Sequence, residues 1–539
     1  MHHFKSLAAL LPGLTLLANA APASKSRQAT TSDPLLVDLG YASYKGTTLV
    51  ESGVNHYLGI RFAQPPVGDL RWRAPQDPLD ESSLGVQQAV TTGAMCIGIN
   101  QPVVPGSYVG AIDEDCLFLS VYTPTGSTPD SNLPVWVFIQ GGGYAVDANS
   151  NLNGTAVVAA GHDIVFVQFN YRVGMFGFLA SESIQENGDL NVGLLDQRKA
   201  LQWVQDYIHL FGGDPNHVVI HGASAGGGSV AHHMAAYGGR DDSLFVGAMP
   251  ESPFFPTCRS VADMEFQFDN IAAATGCSAQ TDPLACLRAL DLNTLQALDY
   301  NMAFPNTTGI PDYYFLPVID GDFVRDQMST QFNNGDFVYV PTMVGGDTNE
   351  GDTFVPDLAT QAEAGAFLVD QFPKLTVADL AVIDAAYPPI PRDAHADYFG
   401  QVSATYGNAT FACPGLLISK AVSQYVGEDK SWSYLYNVVD PGVAAGVGVT
   451  HTVEWQYIFG LSQQIVTTVM MDYYLSFVRT LDPNPYRDAG TPVFDNFNSQ
   501  ELNRLVINTP LSASGMAPVS SEQLAGCNVW YSLSAVTEQ

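Results

Sequence analysis

One stretch of the 539-residue chain, residues 217–230, limits the possible folds more than any other. A β-branched run there leads into Gly222-Ala223-Ser224-Ala225-Gly226, and we expect a helix over residues 230–236. The run predicts a strand, so the serine stands in a tight strand-to-helix turn that glycines allow and larger side chains would obstruct. Such a turn exposes the Ser224 hydroxyl near a helix N-terminus, where the helix dipole favours developing negative charge.

The Gly-x-Ser-x-Gly pattern leaves two interpretations of this turn. Small residues between a strand and a helix also serve close packing, and the pattern by itself does not separate packing from catalysis. A nucleophilic serine needs a general base, an acid that orients the base, and donors for an oxyanion. The rest of the sequence is therefore searched for these three components.

Composition and charge exclude some classes of protein. Charged residues make up 14% of the chain and hydrophobic residues 46%, which predicts a large folded core in one big α/β domain or two ordinary ones. The formal charge of −33 argues against nucleic acid as a partner, because phosphate backbones would be repelled. We interpret the charge as a solvated, soluble surface.

The first twenty residues resemble a secretory signal. Lys5 precedes an apolar run over residues 7–17, and Ala18-Asn19-Ala20 ends at a cleavage point. The run is too short to span a membrane, and no other stretch is long and apolar enough to do so. We expect a signal peptide at 1–20, a short extension at 21–34 and a secreted, extracellular protein. Three glycosylation sequons agree with this address: Asn153-Gly-Thr, Asn306-Thr-Thr and Asn408-Ala-Thr.

The seven cysteines predict disulfides and one remaining thiol. Cys277 and Cys286 are close enough in sequence for a local loop, and so are Cys96 and Cys116. Spacing leaves the pairing open. We interpret Cys258 as the remaining cysteine, a buried thiol rather than a nucleophile, because no histidine pattern surrounds it.

A second glycine-rich turn follows a predicted strand over residues 133–139. The turn, Gly141-Gly142-Gly143, would let successive backbone amides point at one spot, as an oxyanion hole requires. A phosphate-binding loop is disfavoured, because no Lys-Ser/Thr or G-x-G-x-x-G spacing follows.

The order of the predicted elements indicates a parallel α/β sheet. Short alternating runs between residues 35 and 62 predict antiparallel strands at the start of the sheet. A strand over 163–171, an amphipathic helix over 194–211 and the serine strand then follow in the order of right-handed crossovers. Later strands over 338–345 and 432–439 run into loops rich in polar residues. No repeat or linker is present, so we expect a single domain over residues 35–539.

These motifs together resemble the type-B carboxylesterase/lipase family of α/β-hydrolases, which includes cholinesterases and secreted fungal lipases. The resemblance extends from about Leu35 to about Tyr531. It rests on the glycine loop and serine turn and on five further segments: residues 59–68, 114–117, 170–172, 191–197 and 211–215. It implies an α/β-hydrolase fold, a large and mostly parallel central sheet with helices on both faces.

The resemblance also implies roles for individual residues. Ser224 matches the nucleophile, and His451 matches the histidine of the Gly448-Val-Thr-His-Thr-Val-Glu454 loop. Glu350 is favoured as the acid, while Asp347 and Asp352 are interpreted as solvated loop carboxylates. Further implied features are oxyanion donors at Gly142, Gly143 and Ala225, and disulfides Cys96–Cys116, Cys277–Cys286 and Cys413–Cys527. No metal or cofactor is expected, and His232 and His233 are interpreted as surface or packing residues.

The sequence favours a carboxylesterase acting on short-to-medium or soluble esters. The Cys96–Cys116 loop, which carries an amphipathic lid in lipase-like relatives, is short here and holds prolines and glycines. Ala223 stands where the family often has glutamate, which leaves substrate choice open. The alternatives are a lipase, sterol or feruloyl esterase with the same triad and, remotely, a non-catalytic adhesion protein.

Aromatic residues that line the pocket or belong to the core are expected at 254–255, 304 and 313–315.

Overall fold

The computed structural model describes residues 33–104, 110–439, 446–462 and 465–539. The expected signal peptide at 1–20 and residues 21–32 of the expected extension lie outside the described residues.

The strands of the described residues are numbered in chain order. They are β1 (Leu36–Asp38), β2 (Ser43–Lys45), β3 (Thr47–Leu49), β4 (Val54–Arg61), β5 (Val86–Gln88), β6 (Met95–Cys96), β7 (Ile112–Asp113), β8 (Phe118–Pro124), β9 (Leu133–Ile139), β10 (Val165–Phe169), β11 (Gly213–Ala223), β12 (Gly247–Glu251), β13 (Arg259–Ser260), β14 (Val318–Ile319), β15 (Thr342–Val344), β16 (Ser431–Asn437), β17 (Asn503–Asn508) and β18 (Gly515–Pro518).

The α-helices are numbered in the same way. They are α1 (Thr155–Gly161), α2 (Gly174–Phe178), α3 (Glu182–Asn187), α4 (Val192–Tyr207), α5 (Ala225–Gly239), α6 (Val261–Thr275), α7 (Pro283–Arg288), α8 (Leu292–Gln296), α9 (Met328–Asn334), α10 (Gln361–Gln371), α11 (Val377–Ala386), α12 (Phe399–Gly407), α13 (Cys413–Tyr425), α14 (Trp455–Ile458), α15 (Ile465–Thr480) and α16 (Ser521–Thr537). A π-helical segment, Asn408–Ala412, joins α12 to α13.

The largest sheet has eleven strands within the described residues, in the order β18-β17-β16-β15-β12-β11-β9-β10-β8-β4-β3. Its middle, from β17 to β10, is parallel, and its two ends are antiparallel. In a parallel sheet the carboxyl ends of the strands meet at one edge, where ligands commonly bind. The turns after β9, β11, β12 and β15 all leave from that edge.

The core lies on both faces of this sheet. Along β9, Val135, Val137 and Ile139 join one hydrophobic cluster, while Trp136 and Phe138 join a second. Successive side chains of a strand point to opposite faces, so the two clusters are the two sides of the sheet. Helix α5 packs in the first cluster and α15 in the second. This is the α/β-hydrolase architecture that the sequence predicts.

The predicted helix after the serine begins too late. The expected helix begins at residue 230, whereas α5 begins at Ala225. Glycines at 226–228 lower intrinsic helix propensity, and tertiary packing overrides it here. A Cβ at Gly226, for example, would collide with the Ile139 carbonyl oxygen, so this first turn requires the glycine for its close approach to β9.

Three disulfides join Cys96 to Cys116, Cys277 to Cys286 and Cys413 to Cys527. The third connects the start of α13 to α16 across 114 residues. Cys258 is a buried free thiol, and burial raises its pKa. A thiol held in this protonated form is a poor nucleophile.

The Cys96–Cys116 loop is folded onto the protein rather than helical in its described part. Strands β6 and β7 pair at its two ends, and Ile97, Ile99 and Ala111 are buried. Residues 105–109 of the loop lie outside the described residues. Over residues 97–104 and 110–115, which are described, the loop contains no helix. In the described parts of the chain, no helix has both the length and the apolar character needed to cross a membrane.

Candidate active site

Ser224 stands at the corner between β11 and α5 in a backbone conformation that few non-glycine residues adopt. Its φ is 61° and its ψ is −124°. The Ser224 amide donates to the Glu251 carbonyl at 3.0 Å, and its carbonyl accepts from the amides of Gly228 and Phe254 at 2.9 and 3.1 Å. These bonds hold the strained residue from both neighbouring elements, so the strain is maintained by the fold.

The turn after β9 lies directly against this serine. A Cβ at Gly141 would approach Ser224 Cβ to 3.0 Å, so the two turns are in contact. Gly142 adopts a φ of 112°, which a residue with a Cβ rarely takes. Within the described residues, the amides of Gly142, Gly143 and Ala225 donate no hydrogen bond. Three free amide donors are therefore available beside the serine.

Glu350 and His451 form a close, buried pair. His451 Nδ1 lies 2.6 Å from Glu350 Oε2, and the side chains are 6% and 3% exposed. The other carboxylate oxygen of Glu350 accepts from Ser252 Oγ and from the Asp347 amide, each at 2.8 Å. With Nδ1 bonded to the acid, His451 Nε2 makes no hydrogen bond in the described part of the protein. The ring is oriented by the acid and keeps its second nitrogen available.

The loops that carry these two residues are joined to each other. The Asn349 amide donates to the Val449 carbonyl, and the Val449 amide donates to Asn349 Oδ1, both at 2.9 Å. These bonds fix the backbone just before Glu350 and just before His451, because Asn349 directly precedes Glu350 and Val449 lies two positions before His451. The distance between acid and histidine is thus set by main-chain contacts as well as by their own bond.

An aromatic wall surrounds the histidine. The ring centroids of Phe411 and Phe354 lie 4.1 and 5.0 Å from that of His451. Phe254 packs on Phe411 at 5.5 Å, and Tyr313 packs on Phe254 at 4.8 Å. A Cβ at Gly143 would collide with the Tyr313 ring, so this wall reaches the glycine loop. The wall makes the site apolar, which strengthens electrostatic interactions inside it.

Comparison with known proteins decides the family. The carboxylesterase family model matches residues 34–524. The chain belongs to the carboxylesterase family.

Several fungal proteins are similar to this carboxylesterase. It is 32% identical to Secreted lipase 1 of Botryotinia fuckeliana, over 85% of this chain and 90% of that protein. It is 31% identical to Lipase 2 of Diutina rugosa, over 79% and 84% of the two chains. The crystal structure of Aspergillus niger EstA superposes with a TM-score of 0.89 at 46% identity, covering 94% of this chain and 99% of that one. The protein is a carboxylic ester hydrolase with the α/β-hydrolase fold.

Behind Glu350 the carboxylesterase carries further buried acids. Glu251, Asp347 and Glu454 are at most 3% exposed, and burial together with their mutual repulsion raises the pKa of each. A raised pKa favours the protonated, uncharged form of each of these carboxyls. The surroundings of Glu350 therefore carry less negative charge than the number of acids suggests.

Glu251 has a histidine partner on the serine strand. His221 Nε2 lies 2.8 Å from Glu251 Oε2, and Trp136 Nε1 donates to His221 Nδ1 at 3.2 Å. Because Nδ1 accepts, the proton of the neutral ring is on Nε2, which donates to Glu251. Complete burial lowers the pKa of His221 to about 3, so the ring is neutral at ordinary pH.

Two expectations about acidic residues are wrong. Asp347 is 3% exposed, and the Asp352 side chain is 4% exposed and pairs with Arg392 at 3.0 Å, so neither is a solvated loop carboxylate. Both follow a short parallel strand, and helix α12 and the histidine loop cover them. Sequence reasoning also missed Ser252, His221 and Glu251 beside the site. The only sequence signal for them is the polar character of positions inside otherwise apolar strands.

Most of the other residues considered for the site belong to the core. His232 and His233 are both buried in α5, and burial lowers the pKa of His232 to about 4. Both side chains therefore pack inside the protein rather than lie on its surface. Of the six aromatics considered for the pocket, Phe254 and Tyr313 reach the site, whereas the other four pack in the main hydrophobic core: Phe255, Phe304, Tyr314 and Phe315. No group of three or more potential metal ligands is present among the described residues.

Proposed function

We propose that the ester hydrolysis runs through an acyl-enzyme formed on Ser224, with His451 as general base and Glu350 as the acid that orients it. The observation that carries this assignment is the buried Glu350–His451 pair, whose Nε2 is left without a partner. The strained Ser224 turn and the free amides beside it support the same assignment.

In the proposed mechanism, His451 Nε2 takes the Ser224 proton as the hydroxyl oxygen attacks the ester carbonyl carbon. Glu350 stabilises the imidazolium that results. Gly142, Gly143 and Ala225 donate to the oxyanion, and each well-placed donor contributes about 3 kcal/mol to transition-state stabilisation. His451 then returns the proton to the leaving alcohol. Water repeats the attack on the acyl-enzyme and releases the acid.

Short-to-medium or soluble esters are the proposed substrates. The described part of the Cys96–Cys116 loop has no helix that could act as a lipase lid. Phe254 and Tyr313, which reach the site, also line a cavity of only about 10 Å³. That is room for about one water molecule, so a long acyl chain would find no continuation there.

A lipase with the same triad is the second candidate. Two relatives are named lipases, one of them a secreted lipase, and this supports activity on lipid esters as well. We also propose that the protein is secreted after cleavage of residues 1–20 and acts as one domain over 35–539. Three disulfides and the name of the secreted relative support the extracellular address.

The test measures hydrolysis of p-nitrophenyl esters with acyl chains of two to sixteen carbons by the secreted protein and by Ser224→Ala. We expect activity to fall with chain length and to be lost in the variant. Mass spectrometry after reaction with an organophosphate should find the adduct on Ser224. Modification at another residue, or full activity of Ser224→Ala, would refute the assignment. A maximum at long chains, with a rate jump above substrate solubility, would favour the lipase.

A further inference from the structure

A second cavity, of about 730 Å³, lies behind the catalytic-acid loop. It is bounded by residues 347–350, the chain after α11, helix α12, strands β16 and β17 and the start of α16. Glu350 borders it, but Ser224 and His451 do not. Its volume lies within the usual range for small-molecule sites. The cavity therefore shares Glu350 with the site already described but contains neither its serine nor its histidine.

Arg504 of β17 lines this cavity and is 9% exposed. Its Nη2 donates to Gln523 Oε1 at 2.6 Å, and its Nε has no partner. No carboxylate of the described residues lies within salt-bridge distance of the guanidinium, although the chain has 54 acidic residues. Burial lowers the pKa of Arg504 to about 10, so it stays charged at neutral pH. A buried cation without an anion is costly, which points to an anionic partner from outside the chain.

The start of α16 adds to the attraction for an anion. Ser520, Glu522 and Gln523 line the cavity, and Ser520 caps this 17-residue helix by accepting from the Gln523 amide at 3.1 Å. The amides of Ser521 and Glu522 donate no hydrogen bond within the described residues. The positive end of the helix dipole therefore lies beside Arg504. The Glu522 carboxylate is exposed and does not pair with the arginine.

Part of the cavity lining is apolar. It is formed by Tyr387, Pro388, Ile390, Ala404 and Leu435. A bare inorganic anion would leave this surface without a contact. A ligand with one carboxylate and an apolar tail would satisfy both Arg504 and this apolar lining, because the carboxylate matches the fork of the guanidinium.

We propose that this cavity is a binding site for an organic carboxylate with an apolar chain, held by Arg504 and the first turn of α16. The ligand class is the acid half of an ester. The inference concerns binding alone and does not depend on the role proposed for Ser224.

The chain itself supplies one competing occupant. Asn408 of the 408–410 sequon lines the cavity, and its Nδ2 donates to the Tyr387 hydroxyl at 3.1 Å. A glycan on Asn408 would have to leave through this space. The experiment therefore has to determine whether Asn408 is glycosylated.

The experiment is calorimetric titration of the full secreted protein with sodium octanoate, after an organophosphate has blocked the nucleophile. We expect one site for octanoate on the blocked protein. Arg504→Met should weaken binding by about tenfold or more, since a charge-assisted bond is lost. Arg325→Met, which changes an exposed arginine outside the cavity lining, is the matched control and should bind as the parent does. The uncharged 1-octanol and inorganic phosphate should each bind much more weakly.

A second variant keeps the test decisive if Arg504→Met fails to fold. Ala404→Phe fills the apolar end, so it should weaken octanoate more than acetate. Equal octanoate binding by Arg504→Met and the parent would overturn the proposal. So would phosphate binding as tight as octanoate, or octanoate binding that appears only after a glycan is removed from Asn408. If the organophosphate does not label Ser224, the proposed mechanism fails, but the comparison of the two arginine variants still tests the cavity.

Discussion

Replacing Ser252 by alanine removes one of the three hydrogen bonds that hold the Glu350 carboxylate. Ser252 Oγ donates to Oε1 at 2.8 Å, the Asp347 amide donates to the same oxygen at 2.8 Å, and His451 lies on Oε2. A hydrogen bond to a charged group contributes about 1.5–3 kcal/mol. Because the Asp347 amide remains, we expect the lower figure, a loss of about 1.5 kcal/mol in transition-state stabilisation. That corresponds to about a tenfold fall in kcat.

The assay is steady-state hydrolysis of a short p-nitrophenyl ester over a range of pH. KM should stay nearly constant, since Glu350 lies behind the histidine and orients it without touching the ester. Ser403→Ala is the matched control, because Ser403 Oγ also donates to a buried carboxylate, that of Asp352. The control should lose stability but keep kcat within about twofold. If Ser252→Ala keeps full kcat while Ser403→Ala loses it, the orientation of Glu350 by Ser252 is refuted.

Three further predictions concern stability and processing. Burial raises the pKa of Asp299 to about 8, so the folded state holds its proton and the free energy of unfolding should fall as pH rises from about 4 to 8. Asp299→Asn should flatten this decline. The free energy of unfolding of both proteins would be measured with urea at pH 5 and pH 8. An equal fall in that free energy between the two pH values for both proteins would contradict the prediction. Replacing Cys413 and Cys527 by serine opens a loop of 114 residues and should cost about 5 kcal/mol, against about 2.5 kcal/mol for the nine-residue Cys277–Cys286 loop. Thermal unfolding of the two double variants checks that order. Asn153 and Asn306 are exposed and should carry glycans in the secreted protein, which peptide mapping would detect.

The sequence predicts the parts of this molecule that depend on local pattern. Strand β9 has the predicted bounds, and α4 falls within about four residues of the predicted helix, because apolar periodicity is read over a few consecutive residues. The serine turn and glycine loop are likewise local. Asp347 and Asp352 were misjudged because their burial depends on α12 and the histidine loop, which lie more than 45 residues further along the chain. No local signal reports such coverage.

The buried acids behind the triad depend on strand register, which is also invisible to a linear pattern. Strands β11 and β12 pair so that Ala223 lies opposite Glu251, and His221 lies opposite Met249. The four side chains therefore share one face of the sheet. The residue before the nucleophile, Ala223, carries no carboxyl. A carboxyl is nevertheless present at the paired position of the next strand, where it accepts from His221.

This placement explains how the protein tolerates several acids around Glu350. A carboxylate at position 223 would stand next to the nucleophile, and its charge would act on the oxyanion. Glu251 is fully buried and its partner is a neutral histidine, and burial raises its pKa, which favours the protonated form. Repulsion is removed by protonation rather than by distance. His221→Phe together with Glu251→Gln should therefore leave kcat largely unchanged at acidic pH, because both wild-type groups are already uncharged. Glu251→Lys, by contrast, should prevent folding, since it places an unpaired cation where burial is complete.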